Sequence, residues 1–221
     1  MTVRIGFAGV GGMGQCAHLR NYVTVPGCKV VALAERHVSK GQQVAERYGI
    51  PTAYGSIDEM LAAEQLDAIV ASQPFSRHGV LLPVLLKAGV PIFTEKPLAA
   101  SVPVGERVAA QVAASGTWHM VGYHKRSDPA TMLAKETIDE LKASGELGRM
   151  TYVRILMPAG DWVASGFTDL LGGNPVDAPT GPLEFDPPDP NMDAATFDAY
   201  TAFVNYYIHQ VNLMRHLLGE D

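Results

Sequence analysis

The chain is poor in the features that would mark a secreted, membrane-spanning or nucleic-acid-binding protein. It has two cysteines in 221 residues, Cys16 and Cys28, too few for a disulfide framework, and they read as buried, reduced side chains. No stretch approaches the roughly 18 apolar residues that a membrane helix needs. Met1 runs into an apolar strand by Val3 with no basic region and no small-residue cleavage site. A cytoplasmic location is therefore expected. Positive charge is also scarce. The formal net charge is -6, and no basic patch interleaved with aromatics occurs, so neither nucleic acid nor an anionic membrane is an expected partner. No cysteine, histidine or carboxylate cluster has metal-ligand spacing, so no metal is expected. No Ser–His–Asp arrangement and no internal repeat stands out. What remains is 47% hydrophobic and 18% charged, a composition that can bury a core.

The apolar pattern is organised. Residues 3–9, 29–35, 67–72, 91–95 and 118–123 read as short strands. Helical stretches lie between them: from the glycine cluster to about Tyr22, then over 39–48, 57–64, 78–88 and 101–115. Strands alternating with helices at this spacing predict a doubly wound parallel sheet covered on both faces, here over residues 1–123.

The texture changes after that. A helix over 129–144 ends at Gly145, and Met150–Met157 alternates as a strand. Residues 158–199 are rich in proline and glycine and contain no lysine or arginine. They hold eight of the chain's 23 acids: Asp161, Asp169, Asp177, Glu184, Asp186, Asp189, Asp193 and Asp198. A solvated loop is the plain expectation, and a lid or subunit-contact arm is the sharper one. A periodic helix over 200–218 then carries an apolar stripe of Phe203, Tyr207, Val211, Met214 and Leu218. One strand does not make a sheet. Residues 124–221 therefore read as the start of an α+β second domain, incomplete where the chain stops.

Gly9-Val10-Gly11-Gly12-Met13-Gly14 matches G-x-G-x-x-G between a strand and a helix. The first glycine permits the tight turn, the second lets the backbone approach a pyrophosphate, and the third lets helix and strand pack closely. The helix N-terminus beyond it offers N–H groups to phosphate. Glu35, at the end of the second strand and 21 residues past Gly14, is placed to accept hydrogen bonds from the adenosine ribose. That favours NAD. Arg36 beside it could pair with a 2′-phosphate or stack on adenine, so NADP stays open.

Two further patterns are Glu95-Lys96-Pro97 at the end of the fourth strand and Asn205, His209 and Asn212 on one face of the final helix. With the glycine loop, with Pro74-Phe75-Ser76-Arg77-His78 and with Tyr123-His124-Lys125-Arg126, these make the whole chain resemble the Gfo/Idh/MocA family of glucose–fructose oxidoreductase, inositol dehydrogenase and relatives. The resemblance implies an NAD(P)-dependent oxidoreductase that moves a hydride between a nicotinamide and a hydroxyl carbon of a sugar or polyol. It implies cofactor contacts for Gly9, Gly11, Gly12, Met13, Gly14, Glu35, Arg36, Pro74, His78, Glu95 and Lys96. Substrate contacts fall to Lys96, Tyr123, Lys125, Asn205 and His209. Lys96, His209 and Asn205 form the catalytic set, with His209 as general base and Pro97, often cis in this family, shaping the turn that presents Lys96. It further implies a homo-oligomer in the intact form. The chemistry is coherent, since hydride loss from a carbinol needs an acceptor for the hydroxyl proton and a cation beside the developing alkoxide. The final helix departs from the family's Asp-x-x-x-His-x-x-Asp, having Asn205 and Asn212 where aspartates stand. Two other readings remain: an NAD-dependent glycosidase or lyase using transient sugar oxidation, and a non-catalytic nucleotide-binding partner protein.

Overall fold

A computed structural model describes residues 1–158, 160 and 166–219. Asp161 of the acidic segment and the last two residues lie outside the described residues. The chain divides into two compact units. One comprises Met1–Val121 with Asp161–Asp189, and the other Gly122–Gly160 with Pro190–Asp221.

The first unit is built on six strands: β1 (Val3–Ala8), β2 (Cys28–Ala34), β3 (Thr52–Tyr54), β4 (Ala68–Ala71), β5 (Ile92–Thr94) and β6 (His119–Val121). They pair in the order β3-β2-β1-β4-β5-β6, and every pairing is parallel. This is the doubly wound Rossmann order. The helices are α1, which is π-helical over Gly14–Leu19 and α-helical over Arg20–Tyr22, then α2 (Val38–Tyr48), α3 (Ile57–Ala63), α4 (His78–Leu86) and α5 (Val102–Ser115). The central strands are apolar on both sides because helices cover both faces. Phe7, Val10, Leu19, Leu33 and Val44 form one core cluster, and Ile69, Leu82, Leu85, Ile92 and Val108 form another. Phe7, Leu33, Ile69, Leu82 and Ile92 are fully inaccessible. The predicted strands and helices of this unit all appear, mostly trimmed by a residue or two at their ends. The edge strand β3 is additional.

The acidic segment departs from the solvated loop expected of it. Residues 166–189 form a strap docked along the first unit. The amide of the buried Gln15 donates to Leu171 O and accepts from Leu171 N. Arg47 donates to Asp169 O, Arg36 to Gly181 O and Arg77 to Glu184 O. Two strap carboxylates reach helix N-termini. Asp177 accepts from the backbone N–H of Ser39 in the first turn of α2 at 2.7 Å, and from the Ser39 hydroxyl at 2.8 Å. Asp186, 7% exposed, accepts from Gly79 N in the first turn of α4 at 2.9 Å. The physical reason is the pair of features at each site: N–H groups that lack an intrahelical partner, and the positive end of the helix dipole.

The second unit contains α6 (Pro129–Ser144) and α7 (Ala194–Leu218). Asp128 caps α6 by accepting from Ala130 N and Thr131 N, and Asp193 caps α7 by accepting from Thr196 N. The α7 cap starts the helix six residues before the predicted Tyr200. The two helices meet where Lys142 Nζ donates to Leu218 O. Met150–Met157, expected as a strand, carries no strand pairing. An alternating segment becomes a strand only when a neighbour supplies its hydrogen bonds, and none of the described residues does so here. The stripe of α7 is largely open, with Phe203 56% and Tyr207 49% exposed.

Candidate cofactor and active site

The glycine loop closes β1 at the carboxyl edge of the sheet, between the strands whose order reverses. The three motif glycines differ physically. Gly9 sits at φ +92°, and a Cβ there would stand 2.8 Å from Ser72 O. A Cβ on Gly14, which is buried, would lie 3.0 Å from Gly9 O and 3.4 Å from Ser72 Oγ. A Cβ on Gly11 would meet nothing within 4 Å. The first glycine therefore serves the turn and the third serves close packing, while the second faces open space. Gly12 looks toward Leu170 of the strap, and Met13 is half-buried at the start of α1.

Beside Gly11 lies a cavity of about 560 Å³. Gly9, Val10 and Gly11 bound one side of it, and Glu35, Arg36 and Lys40 a second. Ser72, Gln73, Pro74 and Arg77 bound a third, and Pro179 and Leu183 belong to the strap. Glu35 accepts from Val10 N at 3.2 Å and from His37 N at 3.1 Å, and pairs with Lys40 at 3.0 Å. A carboxylate offers about four lone-pair sites, so one remains for a ribose hydroxyl. Arg77 is held below its ordinary pKa by burial and by the Arg36 guanidinium; two cations therefore look toward one crevice. The residues fit a dinucleotide. The open face at Gly11 would hold the pyrophosphate, and the Glu35 end the ribose.

At the end of β5 the Lys96–Pro97 peptide is cis, as the resemblance implied. Lys96 is half-buried, and burial lowers its pKa while the Glu95 charge opposes that shift. Glu95 does not line the cavity. Its carboxylate binds His18 Nε2 at 2.7 Å and accepts from Lys96 N at 3.2 Å. Burial pushes the Glu95 carboxyl up, but the His18 hydrogen bond and charge, with the Lys96 N–H and ammonium, hold it below its ordinary value. His78 is fully buried, with Nδ1 bonded to Leu98 O at 2.9 Å. It secures the chain after the Glu95-Lys96-Pro97 turn and does not line the crevice. Burial lowers its pKa. Burial, with His78 nearby, lowers His119 to about 4.

In the second unit, Asn205, His209 and Asn212 do share a face of α7. Asn205 is exposed and His209 half-buried. The His209 ring lies edge-on to His124, with centroids 5.0 Å apart. Asn212 accepts from Arg126 Nε at 2.9 Å. Tyr123 and Lys125, both half-buried, belong to the same turn around His124–Ser127. The turn is thus gathered against α7. His124, part of the Tyr123–Arg126 pattern but given no role from it, belongs to that cluster. His216, further along α7, is half-buried.

Residues 3–123 match the model of an oxidoreductase family with an NAD-binding Rossmann fold, GFO_IDH_MocA. The chain belongs to the Gfo/Idh/MocA family. One relative of this family member is scyllo-inositol 2-dehydrogenase (NAD(+)) of Bacillus subtilis, 30% identical over 99% of this chain and 55% of that protein. Another is D-xylose 1-dehydrogenase (NADP(+)) 2 of Haloferax volcanii, 30% identical over 67% of this chain and 46% of that protein. The crystal structure of an NAD binding oxidoreductase from Klebsiella pneumoniae superposes with a TM-score of 0.57 at 26% identity, over 67% of this chain and 40% of that one. The family member thus spans about half the length of the curated relatives it matches. Among its described residues no helix is long and apolar enough to cross a membrane.

Sequence reasoning missed four contributors to the site: His18, Lys40, Gln15 and the strap. His18 and Gln15 follow the glycine motif within four residues, but nothing in a periodic pattern marks their partners. Arg77 was visible inside the Pro74–His78 turn without a role.

Proposed function

We propose that this chain is the cofactor-binding part, with the beginning of the substrate domain, of an NAD-dependent oxidoreductase acting on a hydroxyl carbon of a polyol or sugar. The observation that carries the reading is the placement of the glycine loop, Glu35 and Lys96. They follow the carboxyl ends of the parallel strands β1, β2 and β5 of one sheet. That edge is where ligands of open α/β sheets bind. The names of the relatives point to cyclitols and aldoses as the substrate class. A nicotinamide, when bound, supplies the hydride acceptor or donor. The chain's own residues do the rest. Gly11 leaves the backbone bare for phosphate, and Glu35 accepts from the ribose. The Lys96 ammonium stabilises negative charge at the reacting oxygen. His209 takes the hydroxyl proton, and Asn205 and Tyr123 with Lys125 bind neighbouring hydroxyls. Residues 124–221 contribute this second set, and the intact protein assembles as a homo-oligomer.

The test is NADH formation, followed by absorbance, with inositols and aldoses. Lys96→Ala and His209→Ala are expected to keep the NADH dissociation constant and to lose turnover. Near-normal rates in His209→Ala would move the base to Tyr123 or Tyr206. Tighter binding of NADPH than of NADH would show that Arg36 and Lys40 outweigh Glu35.

A further inference from the structure

Glu95 has a second neighbour that the sequence pattern does not reveal. The six residues Gly14–Leu19 wind as a π-helix, which carries more backbone per turn than an α-helix and often marks functional sites. From this segment His18 reaches the end of β5, where its ring stands edge-on to Phe93 with centroids 5.4 Å apart. Its Nε2 lies 2.7 Å from Glu95 Oε1, and the side chains are only 13% and 15% exposed. The other Glu95 oxygen accepts from the backbone N–H of Lys96 at 3.2 Å. One carboxylate therefore joins the helix that begins at the glycine loop to the turn that carries Lys96.

We propose that His18 is a positioning residue for Lys96, acting through Glu95: the imidazole fixes the carboxylate, and the carboxylate fixes the Lys96 backbone and the field at its ammonium. The proposal rests on the reading above that Lys96 meets the reacting oxygen. The physical case is that a mostly buried carboxylate needs a charge-assisted donor. Without one it moves to water or takes up a proton. Either response removes a negative charge beside Lys96, and movement to water also leaves the Lys96 N–H without this acceptor. The charged and titratable groups acting on Glu95 are His18 from α1, Lys96 from its own turn and His78 from the start of α4. The Glu95 charge itself holds the Lys96 pKa up against burial. His18 is thus coupled to the protonation of Lys96 without touching it.

The experiment uses the full 221-residue chain labelled with 13C in lysine and glutamate and 15N in histidine. In the parent protein the 15N shifts of His18 are expected to show a protonated Nε2, the donor to Glu95. A bare Nε2 overturns the proposal without any mutation. His18→Phe keeps the ring against Phe93 and removes the donor, while His18→Gln restores an N–H near the Nε2 position. In His18→Phe the Glu95 carboxyl should titrate at higher pH and the Lys96 ammonium at lower pH than in the parent, and His18→Gln should bring both back. A purely structural His18 would lower Tm and leave both titrations in place, which also overturns the proposal. Where turnover is measured, His18→Phe should lower kcat by up to about a hundredfold, the scale of a displaced catalytic group, with the NADH dissociation constant kept. Lys96→Ala tests the underlying reading separately. Full turnover in Lys96→Ala would refute Lys96 as catalytic, whereas unmoved titrations in His18→Phe would refute the coupling.

Discussion

The three motif glycines should fail in three different ways when given a side chain. Gly9→Ala forces an alanine to φ +92°, a left-handed backbone that costs an L-residue about 1–2 kcal/mol. It also sets a Cβ 2.8 Å from the Ser72 carbonyl oxygen, a backbone atom of the adjacent strand end that cannot rotate away. A loss of about 2–4 kcal/mol of folding stability follows. Gly14→Ala has no left-handed penalty, but its Cβ lies 3.0 Å from Gly9 O. A few tenths of an ångström of shift are needed, and the helix propensity of alanine returns roughly 1 kcal/mol, so the net loss should be about 1 kcal/mol. A Cβ at Gly11 meets no protein atom within 4 Å and the residue is exposed, so the folding stability of Gly11→Val should match the parent to within about 0.5 kcal/mol. Its cost appears only with the cofactor. Losing one or two charge-assisted backbone hydrogen bonds to phosphate, at about 1.5–3 kcal/mol each, weakens NADH binding by roughly tenfold to a thousandfold or more. Urea denaturation and calorimetric titration of the three variants separate the cases. A stable Gly11→Val that binds NADH as tightly as the parent would refute the pyrophosphate assignment, and an undamaged Gly9→Ala would refute the strain argument.

Acid should reveal His119. Its pKa falls from an ordinary 6.5 to about 4, so the folded state favours the neutral ring. The stability it contributes is complete above pH 6.5 and is lost as pH falls toward 4. At pH 5 the linkage amounts to about 2 kcal/mol, reduced to about 1 kcal/mol by partial solvent access. His119→Gln can still bond Thr94 Oγ1, which His119 Nε2 meets at 2.8 Å. It should therefore show a smaller drop between pH 7 and pH 5 in urea denaturation, and an equal drop would rule out His119 as the source. Asp186→Ala strands the buried Gly79 N–H at the head of α4 and should cost about 1–3 kcal/mol, whereas Asp186→Asn keeps an acceptor and should lose only about 0.3–1 kcal/mol of charge–dipole interaction. Urea midpoints of both variants matching the parent would mean that the strap is not anchored there.

The parallel sheet and the glycine loop were legible because their causes are local. Apolar runs such as Ile5–Ala8 and Val30–Ala34 announce buried strands, and a glycine at φ +92° leaves its mark at one position. Met150–Met157 shows the limit of that logic. Its alternation is correct for a strand, but a strand exists only by pairing, and the partner is not written in the segment. The start of α7 was signalled by Asp193 with Thr196 three residues later, a cap that the apolar stripe overshadowed. The strap illustrates the converse problem. Its excess of acids was visible, yet Asp177 answers Ser39 from 138 positions away and Asp186 answers Gly79 from 107. No period or spacing encodes such pairs. The same holds for His18 and Glu95, separated by 77 positions. The lysine proposed as catalytic could be read from its tripeptide, while the histidine that binds the neighbouring Glu95 carboxylate emerges only in three dimensions.

The strap also sets an order of events during synthesis. The helix head at Gly79 leaves the ribosome 107 residues ahead of the carboxylate that will cap it. At about 5–20 residues per second, that interval is roughly 5–20 s. From its start the glycine loop and strands β1 to β4 are outside the exit tunnel, whereas Pro179 and Leu183, which border the crevice, emerge only near its end. The nascent chain therefore presents its dinucleotide crevice with one wall missing before that wall can close.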